Sequence, residues 1–284
     1  MDLPLLDWIA CRARGTTPAL GGREIRAKPS AMCLVLVPVL IGVLASCGSA
    51  SRPAPAPPHT VTSASPSTSP PPLDGCVQPG DRAHEVSFVS SGGEPLIGAE
   101  LGVGTVGIVL AHMYMGSLCD WFPYADRLRD RGWRVLAFDF GGGSLVDAVA
   151  GAADELRREG ATTIVLVGES MGGAAALAAA SLVTPPVTAA AALSSPSTFR
   201  GADAAAAVPH LTMPVLFMDA RDSPDFPADA RAMYAACPSR HKELSLLPGT
   251  DHGAQLLQGS VAAQAQAVLE TFIARSVAAT WPPS

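Results

Sequence analysis

The chain has 284 residues, a formal net charge of -6 and a hydrophobic fraction of 48%, so it is long enough to bury the core of an ordinary domain. The acidic balance and the lack of a concentrated basic face exclude a nucleic-acid-binding protein. Neither metal-ligand spacing nor a phosphate-binding glycine motif is present, and we expect no metal and no cofactor.

An uncharged apolar run at residues 31–46 follows a basic segment and ends directly before Cys47. This order of charge, apolar run and small residues is typical of an export signal. The run is shorter than the roughly 20 apolar residues that cross a bilayer, and Pro38 and Gly42 interrupt it. We therefore expect residues 1–46 to be a leader and cleaved signal peptide.

The segment Leu-Ala-Ser-Cys at 44–47 resembles a bacterial lipobox, where a lipoprotein signal is cut before a lipid-modified cysteine. The resemblance implies a diacylglyceryl group on Cys47, carrying acyl chains such as palmitate, and two chains anchor a protein stably. The predicted location is the cell membrane, on its extracytoplasmic face. The alternative is a free cysteine beside an ordinary signal peptide.

Residues 48–72 consist almost wholly of Ser, Pro, Ala and Thr, which cannot bury enough apolar surface to offset the entropy of folding. We expect residues 47–75 to be the lipidated cysteine and a disordered tether. The remaining residues, 76–284, have the length of one α/β domain.

Within that domain, apolar strand patterns alternate with helix patterns. Strands are predicted at 85–89, 96–103, 106–111, 134–138, 163–167, 188–193, 214–219 and 243–247. Helices are predicted at 123–131, 146–159, 172–182, 228–236 and 254–276. This alternation predicts an α/β fold with a doubly wound, mostly parallel sheet flanked by helices, and ligands bind such sheets beyond the carboxyl ends of the strands.

A G-E-S-M-G run at 168–172 joins a predicted strand to an alanine-rich helix. Small residues around a serine at such a junction are typical of a nucleophile elbow, which exposes the serine above the sheet. Ser170 is therefore the candidate nucleophile. An ordinary Gly-Ser turn without chemistry is the alternative.

The serine needs a general base, and the base needs a carboxylate to orient it. Of the six histidines, His252 lies downstream in a turn that leads from the last strand to a helix, and we predict it as the base. Asp219, Asp222 and Asp225 follow the strand at 214–219. We choose Asp222, which lies just beyond the strand and before a Ser-Pro turn, with Asp219 second. An Asx turn or a helix cap explains any of the three equally simply.

The order Ser, Asp, His in these positions resembles the α/β-hydrolase family, in particular small capless dienelactone-hydrolase-like members in exported actinobacterial proteins. The likeness spans residues 84–276 and rests on motifs at 110–112, 138–140, 168–173, 214–217 and 247–253. It implies a small-molecule ester as substrate. By position, the oxyanion donors are the backbone N–H groups of Met171 and Tyr114, with Met113 as alternative. The family usually has His-Gly where this chain has His112 and Met113.

Three cysteines remain in residues 76–284, and export places them in an oxidising compartment. We expect Cys76 and Cys119 to form a disulfide and Cys237 to stay free.

The predicted function is a serine hydrolase that cleaves carboxylic esters at the cell envelope, without a large cap domain because the loops are short. A peptidase or thioesterase would use the same triad, and a non-catalytic envelope-binding lipoprotein with this fold is the rival from another class. The oligomeric state stays open.

Overall fold

The computed structural model describes residues 75–77, 83–279 and 281. The predicted signal peptide, Cys47 and most of the tether lie outside the described residues. Within the described part of the chain, none of the helices has the length and apolar character needed to span a membrane.

A central sheet of eight strands organises the domain, and a separate two-stranded hairpin lies outside it. The strands are β1 Ala83–Val89, β2 Pro95–Leu101, β3 Val106–Ala111, β4 Arg134–Asp139, β5 Thr163–Glu169, β6 Ala189–Leu193, β7 Thr198–Phe199, β8 Ala202–Asp203, β9 Val215–Ala220 and β10 Lys242–Leu247. The order in the sheet is β1-β2-β4-β3-β5-β6-β9-β10, with β7 and β8 forming the hairpin. Strand β2 pairs antiparallel with β1 and β4, and the other neighbours are parallel.

Helices cover both faces of the sheet. They are α1 Phe122–Asp130, α2 Leu145–Arg158, α3 Met171–Ala180, α4 Ala204–Ala207, α5 Pro227–Ala236 and α6 Ala262–Ala278, with short 3-10 helices at Leu118–Trp121, Val208–His210 and Gly253–Leu257. One apolar layer contains buried residues of α2, α3, α4 and α5, and the other contains those of α1 and α6. The predicted doubly wound α/β fold is confirmed.

The structure differs from the prediction at the start of the last helix, and it adds short elements between β6 and β9 where none was predicted. The last helix begins at Ala262 rather than at 254, because a 3-10 helix, Gly253–Leu257, first carries the chain around Gly253 at φ 59°. The segment between β6 and β9 contains the β7–β8 hairpin and the four-residue helix α4. This insertion is too small to be a large cap domain, as the sequence predicted.

Helix α3 lies at the centre of the fold and all ten of its residues are buried. It contacts β5 and β6 below and α2 alongside, and it consists of Gly and Ala except for Met171 and Leu177. Small side chains let the helix approach its neighbours closely on every side, so there is little free volume around it.

We therefore expect Ala179→Leu, in the fully buried part of α3, to lower the free energy of unfolding by about 1–3 kcal/mol through overpacking. Denaturant unfolding monitored by circular dichroism measures the change. Leu182→Ala is the matched control just beyond the helix, where the side chain is 70% exposed, and it should change stability by less than about 0.5 kcal/mol. Equal effects of the two substitutions would contradict the packing argument.

Candidate active site

Ser170 lies at the turn between β5 and α3 with φ 49° and ψ −116°, a strained conformation for a residue with a side chain. Its N–H donates to the Leu193 carbonyl on β6 at 2.8 Å. A Cβ at Gly168 would lie 2.1 Å from the Gly172 oxygen, and a Cβ at Gly172 would lie 2.2 Å from the Ala111 oxygen. The sharp turn therefore requires glycine on both sides of Ser170, as the elbow prediction supposed.

The turn that carries His252 is attached to the sheet through a buried hydrogen-bond chain. The Gly253 N–H donates to Ser194 Oγ at 3.0 Å, and Ser194 Oγ donates to Asp219 Oδ1 at 2.9 Å. Asp219 is fully buried, and burial raises the pKa of its carboxyl. Asp219 thus supports the turn of His252 through Ser194.

Glu169 connects the same turn to the elbow. Its side chain is fully buried, and Oε2 accepts a hydrogen bond from the Ala254 N–H at 2.5 Å. A Cβ at Gly253 would lie 2.2 Å from that oxygen, so the backbone passes directly over the carboxylate. The residue before Ser170 therefore contacts both residues that follow His252.

The acid beside His252 is Asp225. Its Oδ2 lies 3.5 Å from His252 Nδ1, and the ring of Phe226 packs 5.9 Å from the imidazole centroid. Asp222, the predicted acid, instead accepts from the Gly249 N–H at 3.2 Å, while its own N–H donates to the Gly249 carbonyl at 3.1 Å. This pairing holds the Asp222 carboxylate on the loop after β10, and its assignment as the acid of the triad stays a prediction.

Ser170 and His252 are brought to the same edge of the sheet but are not hydrogen-bonded to each other in this structure. Catalytic hydrogen bonds are often long or poorly aligned without substrate and tighten in the complex. The spacing of Nδ1 and Oδ2 between His252 and Asp225 is likewise longer than a normal hydrogen bond.

His112 fixes the loop on the opposite side of the elbow. Its Nδ1 lies 2.7 Å from the Met113 carbonyl oxygen, and its Nε2 accepts from the Phe140 N–H at 3.2 Å. The ring therefore carries its proton on Nδ1. The Met113 oxygen also accepts from the Gly116 N–H at 3.1 Å, which closes a turn around Tyr114.

The electrostatics of the site are dominated by Glu169. Burial is the main reason that the pKa of Glu169 is raised from 4.5 to about 7. The charge of Asp120 contributes to this rise, and the backbones of Ala254 and Met113 oppose it. Oε1 has no hydrogen-bond partner among the described residues. The carboxyl therefore titrates close to neutral pH, unlike an exposed glutamate.

Two aromatic side chains form a rim over this region. Tyr114 is 43% exposed and its ring lies 5.5 Å from that of Phe199 on the β7–β8 hairpin. The Arg200 guanidinium lies over the Tyr114 ring at 4.3 Å. We call Tyr114, Phe199 and Arg200 the aromatic rim. Arg200 has a positive φ of 40°, and its guanidinium lies over the tyrosine ring.

A disulfide joins Cys76 to Cys119, with Cα atoms 5.7 Å apart, and Cys237 is a buried free thiol. The bond ties the segment before β1 to the 3-10 helix after the Tyr114 loop. Within the described residues, no group of three or more His, Cys, Asp or Glu side chains could hold a metal ion.

No protein-family model and no curated protein matches the sequence. Solved structures do match by fold. An esterase from Pyrococcus furiosus has a TM-score of 0.62 at 16% identity, over 72% of this chain and 98% of that chain. The esterase domain of a Rhodothermus marinus protein has 0.57 at 21%, over 68% and 98%. A dienelactone hydrolase from Anabaena variabilis has 0.55 at 22%, over 68% and 98%.

These likenesses establish the fold: the described domain has the α/β-hydrolase fold, with a mostly parallel eight-stranded sheet and no large cap. At such identities they do not assign an activity, which depends on the groups at the elbow.

Gly172→Ala is expected to displace the elbow or α3, because the new Cβ meets backbone oxygens of Ala111 and His112 at 2.2 Å and 2.6 Å. The melting temperature should fall by several degrees, measured by differential scanning fluorimetry. Gly142→Ala is the control, since its nearest atom, Glu94 Oε1, lies 3.8 Å away. A Gly172→Ala variant as stable as Gly142→Ala would contradict the steric account.

Glu169→Gln should become more stable relative to the native chain as the pH rises from 5 to 8. A folded pKa raised from 4.5 to about 7 means that the native fold loses stability as the buried carboxyl ionises. A pKa raised by this amount corresponds to a loss of about 3 kcal/mol in the free energy of unfolding once the carboxyl is ionised. Denaturant unfolding across this pH range measures the difference, and exposed Glu159→Gln should show none. A difference in stability between the two chains that does not change with pH would contradict the raised pKa of Glu169.

Proposed function

We propose that the protein is a serine hydrolase that cleaves carboxylic esters through an acyl-enzyme on Ser170. The observation that carries the proposal is the strained elbow at Ser170, in contact through Glu169 with the turn of His252. Strained backbone at a non-glycine residue concentrates at functional sites. The esterases and the dienelactone hydrolase that share this fold support the choice of ester substrates.

In the proposed reaction, Ser170 Oγ attacks the ester carbonyl carbon while its proton passes to His252. The tetrahedral intermediate collapses, the ester C–O bond breaks, and the alcohol leaves with the proton from His252. A water then attacks the acyl-enzyme with His252 again as base, which releases the acid and restores Ser170.

Asp225 is our choice for the carboxylate that orients His252 and stabilises its imidazolium form. Its support is the 3.5 Å separation between Nδ1 and Oδ2, whereas Asp222 is paired with Gly249. The N–H of Asp225 donates to Ser223 Oγ at 3.2 Å, which steadies the turn after β9. A carboxylate in this role fixes the tautomer of the histidine.

For the oxyanion we choose the N–H groups of Met171 and Tyr114. The N–H groups in the first turn of a helix have no partner within it, and Met171 is the first residue of α3. Met113 is the weaker alternative, because its backbone stabilises the ionised Glu169 carboxylate. Donors of this kind stabilise the developing charge without reorganisation.

We propose substrates with short or medium acyl groups. The insertion between β6 and β9 reaches the Tyr114 loop through Phe199 and Arg200. Tyr114 and Met115 are exposed at 43% and 88%, so this side of the site is open to solvent. Such a site offers little surface to bury a long chain.

The carboxylate assignment is tested by hydrolysis of p-nitrophenyl butyrate. Asp225→Asn should lower kcat by roughly 10³- to 10⁴-fold, since an amide cannot stabilise the imidazolium. The matched control, Asp222→Asn, should stay within about threefold, because Asp222 contacts only backbone. The reverse order of losses would identify Asp222 as the acid. Ester hydrolysis that persists in Ser170→Ala would reject the serine mechanism, whereas a native chain that hydrolyses no ester would favour a binding protein.

We further propose that Cys47 carries lipid and anchors the protein on the outer face of the cell membrane. The support is the lipobox-like segment at 44–47 and the Ser- and Pro-rich residues after it. Such residues would hold the domain away from the membrane surface.

Cys47→Ala should move the protein from the membrane fraction to the medium or to the uncut precursor, measured by fractionation and immunoblotting. Cys33→Ala is the control, because that cysteine lies upstream of the predicted cut and is removed with the signal. Mature-length Cys47→Ala protein retained in the membrane would refute lipidation at Cys47.

A further inference from the structure

Glu169 is a buried ionisable group that the proposed reaction does not use. It is fully buried, directly precedes Ser170, and has one carboxylate oxygen, Oε1, without a hydrogen-bond partner among the described residues. A buried carboxyl is costly unless its atoms are paired, so its presence beside the elbow calls for a physical explanation.

The contacts of Glu169 reach both walls of the site. On one side, Oε2 accepts from the Ala254 N–H, two residues after His252. On the other, the backbone of Met113, one residue before the proposed oxyanion donor Tyr114, stabilises the ionised carboxylate, and both residues line one small cavity. A carboxylate on the last residue of β5 is thus in contact with the segments that carry the base and the oxyanion donor.

We propose that Glu169 is a positioning residue that, in its ionised form, holds the base turn and the oxyanion loop in register with Ser170. This inference rests on the proposed function. Hydrogen bonds to a carboxylate are roughly twice as strong as those to a neutral carboxyl. Protonation at Oε1 leaves Oε2 a weaker acceptor, so both segments are held less firmly in acid.

A small cavity adjoins Glu169. Glu169, Asp120, Gln255 and Met113 are among the residues that line this space of about 250 Å³, between the two 3-10 helices that flank the elbow.

The titratable groups around Glu169 are few. Asp120, on the 3-10 helix Leu118–Trp121, disfavours a second negative charge in the cavity. His252 lies on the turn that Glu169 holds, His112 turns its ring toward Phe140, and Asp219 reaches the turn through Ser194. Ionisation of Glu169 is therefore expected to contribute to activity on the acid side.

The test compares Glu169→Gln and Glu169→Ala with the native chain in p-nitrophenyl butyrate hydrolysis from pH 5 to 9. Glutamine keeps an acceptor for the Ala254 N–H but cannot ionise. Alanine removes both the acceptor and the ionisable group. At pH 8 we expect kcat to fall about tenfold for glutamine and about 100-fold for alanine, with KM little changed, because misplaced catalytic groups mainly slow the chemical step. The acid limb of log kcat/KM should be steeper in the native chain than in Glu169→Gln.

Glu100→Gln is the matched control. Glu100 is also a fully buried carboxylate with a raised pKa, but it lies on β2, three strands from β5, and pairs with Arg134. The Glu100→Gln variant should leave the slope of the acid limb of log kcat/KM unchanged. A Glu169→Gln variant with the native slope and native kcat would overturn the proposal. If Glu169→Ala does not fold, the glutamine variant alone decides. A native chain without Ser170-dependent hydrolysis would instead reject the proposed function.

Discussion

The turn between β5 and α3 is possible only because Gly168 and Gly172 have no side chains, so that the backbone after Ser170 passes within contact distance of Ala111 at the end of β3. This close approach sets the direction of α3 and the position of the loop after β3. It also holds Ser170 at φ 49°, where its side chain lies above the carboxyl edge of the sheet. The remaining site residues are arranged around that point.

Two buried carboxylates, on strands that flank β6, extend this constraint to the base. Glu169 on β5 and Asp219 on β9 both act on the turn after His252, one directly through Ala254 and the other through Ser194. Burying two carboxyls reduces stability at neutral pH, because burial raises both pKa values. This loss of stability arises next to the proposed nucleophile, and active sites are commonly less stable than the rest of a protein because function requires it.

Much of this arrangement was predictable from the sequence. Apolar runs of strand length alternate with helical patterns, and the glycines around Ser170 identify the elbow. The acid beside His252 was not predictable, because Asp222 and Asp225 lie three residues apart in one loop and backbone pairing with Gly249 decides which is free. The role of Glu169 was also missed, since a glutamate within a Gly-Ser turn carries no signal of burial.

The central claim is that Ser170 is an activated nucleophile, and reaction with a fluorophosphonate followed by peptide mapping tests it most directly. The proposed mechanism predicts one adduct per chain, on the peptide that contains Ser170. It also predicts no labelling of Ser170→Ala, which should keep the native fold because the substitution removes only a hydroxyl. A native chain that forms no adduct, or a Ser170→Ala variant that is labelled equally, would contradict the account.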